Sequence, residues 1–309
     1  MKPDAILSRA PIAITQAQRE FYFENGYLLL EKYISDEWLE RLWAVTNRFI
    51  DESRSLTGST DKFDVEAGHT AENPRLRRLT QPVEHDPVYW EFASKSPLTD
   101  LAEDLLGPDL LFHHAKLNFK WSGGGEEVKW HQDIPFWPHT NDSVMTMGLY
   151  LEDVDDVMGP LGVIPGSHRG ETYDHYNSND EWVGALSDAD HAKADPENNA
   201  VYLPGPAGSV TVHHCRTLHG SRPNMHPTRS RPLLLNAMSS ADALPITPNP
   251  TPSSHNREIV RGRPARYAHM EPYPGRLPPD WSGGYSSIFA LQQEEDGAND
   301  GVRQPTHAG

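Results

Sequence analysis

Cysteine is almost absent, with Cys215 standing alone in 309 residues. A single thiol closes no disulfide within the chain and builds no cysteine-based zinc site, and it suits a reducing compartment. Long apolar runs are missing too. No stretch reaches the length of a membrane-spanning helix, and residues 1–9 hold no apolar core of signal-peptide length. The expectation is a cytoplasmic protein. Basic residues are outnumbered, with 27 Lys and Arg against 44 Asp and Glu and a net charge of −17. That sign argues against nucleic acid or an anionic membrane as a partner.

Proline (27) and glycine (23) are plentiful, which favours turns and short elements over long helices. The first part of the chain is the exception. Thr15 and Gln18 form a capping-box pattern that opens a helix to about Asn25, closed by Gly26. Tyr27-Leu28-Leu29-Leu30 reads as a buried strand. A second, amphipathic helix follows Ser35 to about Ser53, residues 54–75 read as a surface loop, and 88–106 return to helical spacing.

From Leu110 the pattern changes to short strands between Gly/Pro turns, at 110–121, 127–133, 143–152, 161–165, 200–203, 209–214 and 231–239. In the first of these Leu117, Phe119 and Trp121 share one face, and His114, Lys116, Asn118 and Lys120 share the other. Many short strands with regular turns indicate a mainly β fold, a cupin-like jelly roll (double-stranded β-helix) flanked by N-terminal α-helices. The expected organisation is a single domain over 1–309. Residues 1–108 are a helical support and 109–243 the jelly-roll core. The polar stretch 170–199 is a lid, and 244–309 are a Pro-rich extension that folds partly over the barrel and ends in about a dozen disordered residues.

The chemistry centres on Trp130-His131-Gln132-Asp133. On an extended strand His131 and Asp133 point to the same face, so an imidazole and a carboxylate hold neighbouring positions on a divalent metal. A second imidazole completes the 2-His-1-carboxylate face of non-haem iron(II) oxygenases, with the opposite face open. The spacing alone is weak evidence in a chain with 16 His and 44 acids, and His269-Met270-Glu271 repeats it. His213, His214 and His219 are the candidates for the distant ligand.

Further stretches carry a resemblance. Trp130-His131-Gln132-Asp133, the turn from Gly159 to Arg169 with its Pro165-Gly166-Ser167-His168, and Leu218-His219-Gly220-Ser221 followed by Asn224 occur in the order found in one family. So does the opening from Phe21 to Leu30. The chain resembles the phytanoyl-CoA dioxygenase family of Fe(II)/2-oxoglutarate oxygenases, including its ectoine hydroxylase branch. The resemblance implies His131, Asp133 and His219 as iron ligands. It implies an arginine after the distal histidine as the clamp on the far carboxylate of 2-oxoglutarate. Arg231, opening an apolar strand, is preferred, with Arg229 kept open. Ser221 and Asn118 match co-substrate positions, and Trp137 and His114 match positions in the substrate pocket. His168 reads as a loop anchor. The implied reaction consumes O2 and 2-oxoglutarate, releases succinate and CO2, and most often hydroxylates a C–H bond of a small molecule. Asp133 argues against halogenation, because halogenases of the family lack that carboxylate.

Two alternatives remain at this stage. One is a cupin-like isomerase or hydrolase that uses the metal without 2-oxoglutarate and needs no arginine clamp. The other is a barrel that binds a small molecule without catalysis. The substrate is open, between a small polar metabolite, an amino-acid-like molecule and a natural-product intermediate. The negative net charge disfavours a large anion.

Overall fold

The computed structural model describes residues 2–272, 274–283, 285 and 287–295. The expected disordered end lies outside them. Twelve strands run in chain order as β1 (Tyr27–Leu30), β2 (Phe63–Val65), β3 (Leu76–Thr80), β4 (Leu110–Lys120), β5 (Val128–His131), β6 (Val144–Tyr150), β7 (Leu161–Val163), β8 (Val201–Leu203), β9 (Val210–His214), β10 (His219–Ser221), β11 (Arg231–Ser240) and β12 (Ile259–Arg261). They form a large sheet, β1-β9-β6-β11-β4-β3-β2 with β12 joined to β4, and a small sheet, β5-β10-β7-β8. All pairs are antiparallel, and the two sheets make the expected jelly roll.

The first two helices form where the sequence predicts them, and the segments after them depart from the expectation. Gln16–Asn25 is a helix with both halves of the Thr15–Gln18 capping box, and Gly26 closes it at φ 81°. The amphipathic helix spans Asp36–Ser53, although the Ser35 side chain makes no capping hydrogen bond. The stretch 88–106 is two helices, Pro87–Lys95 and Leu98–Leu106, rather than one. Pro97 breaks it, since it lacks the N–H that a continuous helix needs. Residues 54–75 are not all loop, because β2 forms inside them and pairs with β3.

The alternation in β4 explains how the helices and the cavity are kept apart. Leu117 and Phe119 turn outward into a core shared with Leu42, Phe92, Leu101 and Leu105 of the helices. Lys116 and Asn118 turn inward and line the cavity between the sheets. A one-residue slip would exchange the two sets, so burial of the apolar face fixes the register of β4 against β11, with Lys116 opposite Leu235 and Lys120 opposite Arg231.

Candidate active site

Two histidines face each other across the small sheet. His131 ends β5 and His219 opens β10, and the two are direct partners in the antiparallel ladder. His131 Nδ1 lies 2.8 Å from the Lys129 carbonyl and His219 Nδ1 lies 2.9 Å from the Thr217 carbonyl. A carbonyl only accepts, so each ring carries its proton on Nδ1 and presents a bare Nε2 to the other. The second ligand therefore comes from the adjacent strand, not from across the barrel. β10 has three residues, too few for any periodicity to announce it.

Asp133 lies just past the end of β5, in a turn rather than on the strand. Its backbone N–H and that of Ile134 both donate to the Cys215 carbonyl, at 3.0 and 2.9 Å. The carboxylate is oriented from behind, with Oδ2 accepting from Thr146 Oγ1 at 2.8 Å and meeting His213 Nε2 at 3.2 Å. Oδ1 is left 3.9 Å from His219 Nε2. His131, Asp133 and His219 bring one ligand atom each within 4.8 Å of one another, and all three are buried. His213 thus braces the carboxylate. His214 packs away from it, against Tyr22 and His168.

The electrostatics suit a divalent cation. Burial lowers the His131 pKa to about 4 and holds His219 well below the ordinary histidine value, so both rings are neutral. Burial works to raise Asp133, yet the His213 hydrogen bond and the field of the neighbouring His219, His213 and Lys116 side chains hold it well below the usual carboxylate range. Two neutral imidazoles and one carboxylate are the donor set and protonation states that iron(II) takes.

The three ligands open into one cavity. At its far end Arg231 is 3% exposed and its Nε has no hydrogen-bond partner. Burial lowers its pKa to about 10, and no carboxylate faces it among the described residues. An orphaned, buried guanidinium fits the far carboxylate of a diacid. Ser221 and Asn118 line the same cavity. Asn118 Oδ1 accepts from Arg78 Nε at 3.0 Å, and Lys120 Nζ fixes the end of β10 through the Ser221 carbonyl at 3.0 Å. Arg229 lies elsewhere. Its guanidinium is paired with Asp155 and it borders a separate groove with Asp153 and Asp156, so it does not reach the cavity.

A second, smaller compartment shares His131, Asp133 and Lys116 with the first. His114, Phe136, Trp137, Thr251 and Tyr285 complete its wall. The C-terminal segment borders both cavities, Ile288 the two of them and Phe289 the first. Gln292 pins that segment, accepting from Lys129 N at 2.8 Å and donating to the Gly184 carbonyl at 2.9 Å. The expected lid at 170–199 has another role. It contributes no side chain to either cavity and instead braces the metal loop, where His175 Nε2 accepts from Gln132 N–H at 2.9 Å. His168 meets the Phe23 carbonyl at 3.1 Å, as a loop anchor does.

The sequence gives no functional role to Lys116, Arg78 or Thr146, and marks Cys215 only as the lone thiol. Lys116 carried a signal, its place on the polar face of β4. Arg78 sits on a five-residue strand, and Cys215 acts through its carbonyl, which no side-chain pattern reveals.

Comparison with known proteins places the chain in a family. The model of the family described as phytanoyl-CoA dioxygenase (PhyH) matches residues 22–232. A probable alpha-ketoglutarate-dependent hypophosphite dioxygenase of Stutzerimonas stutzeri is 31% identical over 279 residues, covering 90% of this chain and 96% of that protein. An ectoine dioxygenase of Sphingopyxis alaskensis is 28% identical over 237 residues, covering 71% and 73%. Among solved structures, EctD from S. alaskensis with 2-oxoglutarate and 5-hydroxyectoine superposes with a TM-score of 0.64 at 23% identity, covering 85% of this chain and 90% of that one.

Proposed function

The chain belongs to the phytanoyl-CoA dioxygenase family and is an Fe(II)/2-oxoglutarate-dependent dioxygenase, and from that premise we propose that His131, Asp133 and His219 hold the iron while Arg231 and Ser221 hold the far carboxylate of 2-oxoglutarate. One observation carries the assignment. The three ligand atoms and the orphaned Arg231 guanidinium face one cavity. Asn118, held by Arg78, lies between them and suits the keto-acid end of the co-substrate.

Bound there, iron(II), 2-oxoglutarate and O2 would supply the oxidising power, with 2-oxoglutarate oxidised to succinate and CO2 by one oxygen atom and the substrate taking the other. The protein's own work is positioning. Lys129 and Thr217 carbonyls lock the two imidazoles as Nε2 donors, and Thr146 and His213 aim the Asp133 carboxylate. Arg231 fixes the co-substrate at its far end. Phe289 and Ile288 present apolar surface to the cavity, and a less polar surrounding strengthens each of these electrostatic contacts.

The substrate compartment is the second cavity, with Trp137 and His114 in its wall. Hydroxylation of a C–H bond of a small molecule is the leading reading. Oxidation of a P–H bond is the second, supported by the similarity to the Stutzerimonas relative along nearly the whole of both chains. Iron-dependent release of succinate from 2-oxoglutarate tests the assignment. Folded, iron-loaded protein that releases none overturns it.

A further inference from the structure

The bulk charge of the chain is −17, yet the interior of the site has the opposite sign. Arg78, Lys116 and Arg231 line the two compartments, and Asp133 is the only carboxylate that does so among the described residues. Asp64, behind Arg78, is already engaged by Arg77 at 2.7 and 2.9 Å and by Ser287 at 2.8 Å. Three cations against one carboxylate leave an excess of two positive charges. Iron(II) and the 2-oxoglutarate dianion cancel each other and leave that excess in place. Burying cations without a counter-charge is costly, which favours the entry of a further anion.

The position of Lys116 shows where it goes. Arg231 is opposite Lys120, and Lys116 lies four residues back along β4, or about 13 Å at roughly 3.3 Å per residue. Lys116 and Arg231 therefore serve different groups. Lys116 is half-buried and has no hydrogen-bond or ion-pair partner among the described residues. It borders both compartments and so stands beside His131 and Asp133, at the entrance to the pocket of His114, Trp137 and Thr251.

Resting on the iron and co-substrate assignment above, we propose that Lys116 is the substrate receptor and that the substrate is a small anion, a carboxylate or a phosphorus oxyanion, held by the ammonium with its oxidisable bond toward the iron face. Neutral and cationic molecules leave the excess charge in place and are rejected on that ground. The polar wall of the pocket, with the Thr251 hydroxyl and the Tyr285 phenol, offers the remaining hydrogen bonds.

The test uses anaerobic protein loaded with Fe(II) and 2-oxoglutarate, titrated by calorimetry and visible absorption with sodium hypophosphite, sodium propionate and, as the uncharged analogue, propionamide. Lys116→Met and Lys116→Arg are compared with wild type. At least one anion is expected to bind about tenfold or more tightly than propionamide. The methionine variant is expected to lose about tenfold to a hundredfold in anion affinity and the arginine variant about fivefold at most, while both keep 2-oxoglutarate affinity within about threefold. Binding of hypophosphite without propionate marks an oxyanion substrate, and the reverse marks a carboxylate. The inference is overturned if neither anion binds to wild type showing a normal 2-oxoglutarate band, or if Lys116→Met binds anions as wild type does. It is also overturned if that variant loses 2-oxoglutarate to the same degree, which would make Lys116 part of the co-substrate site. A wild type with no band contradicts the iron and co-substrate assignment itself, and this inference with it.

Discussion

His131 and His219 meet ring to ring, 4.1 Å between centroids, because β5 and β10 pair them directly in the small sheet. Each is fixed by a carbonyl two residues before it, Lys129 for one and Thr217 for the other. The two imidazoles are thus set by backbone hydrogen bonds before any metal arrives, and the preorganised pair has consequences that measurement can reach.

The carboxylate depends on its support. Thr146 and His213 both bind Asp133 Oδ2 and leave Oδ1 toward His219. Substituting His213→Asn or Thr146→Val is expected to weaken Fe(II) affinity by about tenfold to a hundredfold while the fold is kept. Anaerobic metal titration followed by circular dichroism checks it. Unchanged metal affinity in both variants would show that the brace does not aim the ligand.

The two arginines separate cleanly. Arg231 is buried in the cavity and Arg229 is paired with Asp155 outside it. A charge-assisted contact is worth about 1.5–3 kcal/mol, so Arg231→Ala is expected to lose roughly tenfold to a hundredfold or more in 2-oxoglutarate affinity. Arg229→Ala is expected to stay within about threefold, as an exposed ion pair contributes little. The reverse pattern would move the clamp to Arg229.

Gly26 shows how closely the support is fitted. It sits at φ 81°, and a Cβ there would come within 2.5 Å of His168 Nδ1 and of Thr217 Oγ1. Its carbonyl accepts from Thr217 Oγ1 at 2.8 Å, two residues before His219. Gly26→Ala is expected to cost about 1–3 kcal/mol from the left-handed backbone and the clash together, lowering the Tm by several degrees. A thermal melt within about 1 °C of wild type would contradict it.

A buried histidine cluster sets the acid side of stability. Burial is the main cause that lowers His139 to about 4 and holds His113 and His114 well below the ordinary histidine value. A depressed folded pKa means that the unfolded chain binds protons first, near its ordinary value of about 6.5. The stability is full above that value and is lost as pH falls toward the folded pKa. Each such histidine adds a slope of about 1.4 kcal/mol per pH unit in that window. Denaturant unfolding of metal-free protein from pH 7 to 5 is expected to show this slope, and His139→Asn is expected to flatten it. An identical slope in the variant would place the acid sensitivity elsewhere.

The sequence was informative wherever pattern length or chemistry was distinctive. The capping box at Thr15 and the alternation in β4 follow from local rules and lie where the sequence predicts them, while His131 and Asp133 come together although Asp133 lies off the strand. Other features depend on tertiary pairing. β10 is too short to show a period, Asp133 leaves the strand for a turn held by the Cys215 carbonyl, and Pro97 splits one expected helix into two. The polar stretch 170–199 reads as a lid and its side chains line neither cavity, whereas Ile288 and Phe289 of the C-terminal segment, which is expected to fold partly over the barrel, border the first. Length and polarity mark a functional loop without saying which face it covers.

The most direct measurement is the weak visible charge-transfer band that forms when 2-oxoglutarate chelates iron(II), recorded anaerobically in wild type, His219→Ala and Arg231→Ala. The account predicts a band in wild type, no band in His219→Ala, and in Arg231→Ala a band that needs far more 2-oxoglutarate to saturate. Folded, iron-loaded wild type with no band, or a His219→Ala variant that keeps it, would contradict the proposed metal face.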